Sequence, residues 1–209
     1  TIDVCNKLGE LPKGIDGLLS VSPYYNKPLQ RGIVAHYKAV SDHTDLPIIL
    51  YNVPGRTSSN VSAETTLALA EIDNIVAMKE ASGDFDQIME IIKYKPDNFT
   101  VLSGDDAITL PLIAAGGSGL ISVIANAFPH EMSSVVNFAL EEKYSEARNI
   151  HYQLLNLIGL TFANGNPGGV KAMLSKIGLI QNVLRLPLVP VIKETEQKIL
   201  LAIDDLANS

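Results

Sequence analysis

Five short apolar runs, recurring every roughly 20–30 residues with helix-forming stretches between them, constrain this chain more than any other feature. They occupy residues 17–22, 47–51, 75–78, 99–103 and 120–123. Each is too brief for a helix and suits a buried strand. Between them the apolar spacing changes to that of helices. Ile33, Val34, Tyr37 and Val40 mark one face, and Ile88, Ile91 and Ile92 another. Ser62 is placed to cap a helix running to about Ile72, and Asp84 to cap the one after residue 84. Such alternation predicts βα units and a parallel sheet. Ile2, Val4, Cys5 and Leu8 also have helical spacing, but no cap or turn precedes them, so the chain is expected to begin inside an element. After Asn126 the alternation stops. Residues 131–142, 144–160, 169–177 and 190–207 all read as helices. These stretches form a helical appendage of about a third of the chain.

The third run carries the chemistry. It lies in Ile75-Val-Ala-Met-Lys-Glu-Ala-Ser-Gly-Asp84, where Lys79 follows four apolar residues and precedes a glycine-containing loop. Its amine is expected where sheet meets loop, the edge at which α/β folds bind ligands. Burial there disfavours the ammonium form and makes a nucleophile toward carbonyl carbon. The competing reading is a strand-end lysine whose head reaches water.

Composition narrows the partners. In 209 residues, 46% hydrophobic and 19% charged, there is material for a sizeable core. A net charge of −7 and a pI near 5.0 argue against nucleic acid and against an anionic membrane surface. No apolar run reaches the roughly eighteen residues of a membrane span. Thr1-Ile-Asp-Val-Cys-Asn-Lys7 lacks a basic stretch followed by an apolar core, so no leader is expected. Cys5 is the single cysteine, which excludes an internal disulfide and fits a reducing cytoplasm. It is expected to be a small buried hydrophobe.

The strand count poses a choice. Five parallel strands make an open doubly wound sheet, whereas a closed barrel takes eight. An open sheet calls for a glycine-rich phosphate loop after its first strand. Here that loop is Pro23-Tyr-Tyr-Asn-Lys-Pro28, rigid and aromatic. The alternatives are a barrel without its first units and a non-catalytic small-molecule binding protein with an open sheet. On the first, a polypeptide of these residues alone is expected to aggregate or stay molten, because its strand edges are unpaired.

Several strand ends agree with one family. Pro23-Tyr-Tyr-Asn-Lys-Pro28, Tyr51-Asn-Val-Pro-Gly-Arg-Thr57, Met78-Lys-Glu-Ala-Ser-Gly83, Leu102-Ser-Gly-Asp-Asp106 and Gly119-Leu-Ile-Ser-Val123 occur in the order and spacing of the 4-hydroxy-tetrahydrodipicolinate synthase (dihydrodipicolinate synthase) family. The resemblance runs on to Leu184-Arg-Leu-Pro-Leu188 and covers essentially the whole chain. It implies a TIM (β/α)8 barrel of which strands four to eight are present, over residues 1–142, with a C-terminal helical domain over 143–209. Three further βα units would account for roughly 90 residues, among them the family's Gly-Thr-Thr-Gly-Glu loop, which nothing here matches. The implied activity is that of a class I aldolase joining pyruvate to L-aspartate 4-semialdehyde, in lysine and diaminopimelate biosynthesis, with neither cofactor nor metal. N-acetylneuraminate lyase, a related aldolase, is the alternative within the fold, and Arg56 favours the semialdehyde. By resemblance Lys79 forms the Schiff base, Tyr51 relays protons, and Tyr25 reaches into a neighbouring subunit's relay. Arg56 holds the semialdehyde carboxylate, while Gly104 and Ile121 line the pyruvate pocket. A cytoplasmic homotetramer, a dimer of dimers, is implied.

Blander readings exist for several of these residues. Tyr51 suits a core tyrosine, Arg56 a loop ion pair and Tyr24 a subunit contact. The pairs Asp84/Asp86 and Asp105/Asp106 read as helix caps rather than metal ligands, since no third ligand is near. His36, His43, His130 and His151 lack metal spacing.

Overall fold

Alternate apolar positions along four of the runs turn toward helices and join into a parallel sheet. The structure is a computed structural model describing residues 1–9 and 14–208. Its strands are β1 (Leu18–Val21), β2 (Ile48–Asn52), β3 (Ile75–Glu80) and β4 (Thr100–Ser103), in the spatial order β1-β2-β3-β4. Helices α1 (Ile2–Gly9), α2 (Gln30–Ser41), α3 (Pro54–Thr57), α4 (Ala63–Ala70) and α5 (Phe85–Tyr94) complete this unit, which comprises residues 1–105 and 115–121. The row Leu50, Met78, Val101 lies in register across β2, β3 and β4 and is buried with Ile33, Tyr37, Leu69 and Ile91. Burying each such side chain contributes roughly 1.5–3 kcal/mol. The opposite face carries the row Val21, Tyr51, Lys79, Leu102. Strand pleating thus separates a core face from a face free for chemistry.

Local signals place the helices. Ser62 accepts a hydrogen bond from Thr65 N and Asp84 one from Gln87 N, so both expected caps form. Cys5 is buried on α1 as expected, although Val4 is exposed and the side chain of Leu8 lies outside the described residues. Two strand expectations change. The third strand does not stop at Met78 but continues through Lys79 and Glu80, because both pair with β2 and β4. The fifth, at 120–123, reduces to a single parallel bridge between Ser103 and Leu120.

The second unit comprises residues 106–114 and the chain from Ser122 on. It contains α6 (Thr109–Ala114), α7 (Pro129–Leu140), α8 (Tyr144–Phe162), α9 (Gly168–Lys176) and α10 (Lys193–Ala207). Its core includes Met132, Val135, Leu154, Leu157, Met173 and Ile199. Gly169 is required there, since a Cβ would sit 2.6 Å from the carbonyl oxygens of Leu160 and Thr161. Asp106 departs from its expected role. It is buried and accepts from Ser122 Oγ (2.5 Å), Val123 N (3.1 Å) and Ile124 N (3.2 Å). It therefore caps the 3-10 turn Ile124–Asn126, and Val123 N and Ile124 N donate to this carboxylate rather than to a strand ladder.

No helix among the described residues is long and apolar enough to cross a membrane.

Candidate active site

Lys79 and Tyr51 are directly paired across β3 and β2, on the face turned away from the helices. Register alone brings them together. The Lys79 Nζ lies 4.1 Å from the Tyr51 ring centroid. Lys79 is 9% exposed and Tyr51 half-buried. The register partners of Lys79 are Tyr51 and Leu102, and Gly104 packs against its stem. A Cβ at Gly104 would stand 2.8 Å from Ala81 Cβ and 3.0 Å from Lys79 Cε. Glycine is needed at this position so that the strand end can close on the lysine. Gly104 N also donates to Glu80 O at 2.7 Å.

Arg56 sits on the single helical turn α3, which Pro54 starts and Ser58, at φ +55°, ends in left-handed backbone. Thr57 Oγ1 donates to Ser59 O at 2.8 Å and holds the turn closed. The Arg56 guanidinium is exposed, yet its charge reaches Tyr51. Burial pushes the Tyr51 phenol above its ordinary value, and Arg56 pulls it part of the way back. Ile121 N donates to Ser103 O at 2.9 Å, next to the end of β4. Tyr25 stays apart, 92% exposed at φ +72°, and its neighbour Tyr24 is also exposed. Among the described residues no group of three or more His, Cys, Asp and Glu is arranged to hold a metal.

Behind the lysine lies a polar cluster that the sequence reading passed over. Glu80 is fully buried on the helix-facing side of β3, paired in register with Asn52 of β2. Asn52 Nδ2 donates to its two carboxylate oxygens at 3.1 and 3.3 Å, and Ser82 N donates at 2.6 Å. Gln87 Nε2 adds a longer contact of 3.4 Å from α5. Burial pushes the Glu80 carboxyl up, and these donors oppose the shift. The signal for this cluster was present. Residue 80 shares the face of Met78, so a glutamate there needs buried partners.

Residues 5–205 match the dihydrodipicolinate synthetase family. The chain belongs to that family. It is 56% identical to the 4-hydroxy-tetrahydrodipicolinate synthase of Parabacteroides distasonis over 188 residues, which are 90% of this chain and 63% of that protein. The chain thus spans 63% of that relative's length. Among solved structures it resembles dihydrodipicolinate synthase from Thermotoga maritima, with a TM-score of 0.95 and 38% identity over 99% of this chain and 70% of that one. The chloride-inhibited enzyme from Acinetobacter baumannii complexed with pyruvate gives 0.94 and 39% over the same shares. With the dihydrodipicolinate synthetase family comes its architecture, a TIM barrel with a C-terminal helical domain. The parallel sheet and the helical unit described above are of that kind.

Proposed function

We propose that the protein is a Schiff-base-forming lyase that condenses pyruvate with L-aspartate 4-semialdehyde to 4-hydroxy-tetrahydrodipicolinate, a step toward diaminopimelate and lysine. The observation that carries this reading is the Lys79 amine 4.1 Å from the Tyr51 ring centre on paired strands. The name shared by close relatives supports the reaction, and the pyruvate complex of the Acinetobacter baumannii relative supports the first substrate.

The steps follow from the residues. The uncharged Lys79 amine attacks the keto carbon of pyruvate, and the carbinolamine loses water to give an iminium. That cation withdraws electrons, so a methyl proton leaves and an enamine forms. The enamine carbon bonds to the aldehyde carbon of the semialdehyde, whose oxygen takes up a proton. The amine of the semialdehyde then attacks the iminium carbon, and Lys79 leaves as the ring closes. Tyr51 is the proton carrier within reach of the lysine. A phenol does this only beside its partners, because its free pKa near 10 is far from neutral. Arg56 clamps the semialdehyde carboxylate through two parallel N–H donors. Gly104 and Ile121 line the pyruvate pocket.

The finer architecture belongs to the same proposal. β1 to β4 are read as barrel strands four to seven, and the bridge at Leu120 as the eighth. The free side of β1 supports this, since a cavity of about 740 Å³ runs along it, lined by Leu19, Val21 and Tyr24. The barrel part ends at 142, and the helical domain follows. Tyr25, held outward between Pro23 and Pro28, serves the relay of a neighbouring subunit in a homotetramer built as a dimer of dimers. A cytoplasmic setting fits the single buried cysteine.

The test is reductive trapping. Pyruvate with borohydride adds one reduced pyruvyl group to the full-length enzyme, and peptide mapping puts it on Lys79. A label on Lys93 or Lys171 instead, or no label, would sink the proposal.

A further inference from the structure

We infer that the buried Glu80–Asn52 pair is a positioning device for Lys79, holding the reactive amine from behind the sheet. The inference rests on Lys79 being the Schiff-base residue. Glu80 follows Lys79 directly, so the two share a peptide bond and point to opposite faces of β3. Its carboxylate receives Asn52 Nδ2 from β2, Ser82 N from the loop after β3, and Gln87 Nε2 from α5. Its carbonyl receives Gly104 N from the end of β4 at 2.7 Å, and Asn52 O receives Ala81 N at 2.9 Å. Asn52 is fixed in turn. Its Oδ1 accepts from Val61 N at 3.0 Å, and its Nδ2 donates to Asn60 Oδ1 at 2.8 Å. Asn60 Nδ2 donates to Gln87 Oε1 at 2.8 Å and closes the network on α5. The residue after Lys79 is thus held from β2, from β4, from its own loop and from the following helix.

The cost of the arrangement argues for a role beyond stability. A fully buried carboxylate satisfied here by neutral donors is an expensive way to join two strands. Met78 and Leu50 join the same strands one step away without that cost. The carboxylate offers what an apolar pair cannot, namely acceptors for three donors from three elements that converge just behind the lysine. Register at Asn52–Glu80 also fixes register at Tyr51–Lys79, the adjacent pair. A slip or splay at the buried pair moves the amine relative to the phenol.

The experiment measures how fast the Lys79 adduct forms at saturating pyruvate, by borohydride trapping of the full-length enzyme, with thermal unfolding recorded alongside. Glu80→Gln keeps the volume but sets an amide donor among donors. Gln87→Met keeps the volume and removes the longest contact to Glu80 together with the bond that Asn60 Nδ2 gives Gln87 Oε1. Trapping in Glu80→Gln is expected to slow about tenfold or more and in Gln87→Met about threefold, as misplacement of a reacting group requires. The label stays on Lys79, the half-saturating pyruvate concentration is unchanged, and the unfolding midpoint moves little. Trapping at the wild-type rate in the folded variants would overturn the inference, as would a rate that falls only in step with the folded fraction. If Glu80→Gln does not fold, Gln87→Met decides between the same two results. Absence of any Lys79 adduct in the wild-type protein is a separate result, since it removes the Schiff-base reading and this inference with it.

Discussion

Arg56 is the side chain whose removal should separate the two substrates. It stands on an exposed turn, away from the strand pair that carries the amine, so pyruvate trapping on Lys79 is expected to survive Arg56→Ala. Loss of a two-pronged carboxylate contact costs roughly 2–4 kcal/mol at a desolvated site, or about 30- to 900-fold in kcat/KM for the semialdehyde. Equal damage to both substrates in steady-state kinetics would mark Arg56 as structural. The same variant has a pH signature. Arg56 opposes the burial that raises the Tyr51 phenol, so without it the phenol rises further and an alkaline limb due to Tyr51 moves to higher pH. Lys79 was legible at this scale, because a lysine after four apolar residues is conspicuous. Gly104 was not legible as the glycine that packs on the lysine stem. That depends on β4 ending beside β3, which no local pattern specifies.

Element ends separate two kinds of cap. Ser62 satisfies one donor at the start of α4, where water is an alternative partner. Asp106 satisfies Ser122 Oγ and the N–H groups of Val123 and Ile124 while almost fully buried. Denaturant unfolding should therefore rank the two alanine variants. Ser62→Ala is expected to cost about 1 kcal/mol, and Asp106→Ala more, since orphaned buried donors cost roughly 1–3 kcal/mol each. The reverse order would mean that water enters the Asp106 site freely. Ser62 and Asp84 were readable because an N-cap acts on its own helix within three residues. Asp106 was not, because its partners lie about sixteen residues on and meet it only in the folded chain. The same contact explains why the apolar run at 120–123 fails to become a full strand.

Across the whole molecule, acid lability should trace in part to His151. The ring is 4% exposed on α8, and burial lowers its pKa while Asp106 and the Ala107 backbone oppose that. In the folded protein it therefore stays neutral at a pH where the unfolded chain is already protonated. Its contribution to stability is present above the unfolded value of 6.5 and is lost as pH falls below it toward the lowered folded value. Glu80 acts in the opposite sense. Its raised pKa lets the folded state bind a proton before the unfolded one, so its unfavourable contribution is relieved as pH falls toward 4.5. Thermal unfolding from pH 7 to 5.5 should accordingly show a falling midpoint that flattens in His151→Gln, and Glu80→Gln should steepen the fall as pH approaches 4.5. An unchanged slope in His151→Gln would remove histidine from the account.

The sequence by itself determined the parallel βα units, the helical second half, the caps at Ser62 and Asp84, and the lysine that follows four apolar residues of the third strand. Each follows from spacing within a single element or from the residues next to it. The tertiary structure alone decided that Tyr51 and Lys79 are register partners, that Gly104 closes on the lysine stem, and that Glu80 and Asn52 meet behind it. Strand register and strand order join residues about thirty positions apart. Their energies come from contacts between elements, so no run of neighbouring residues encodes them.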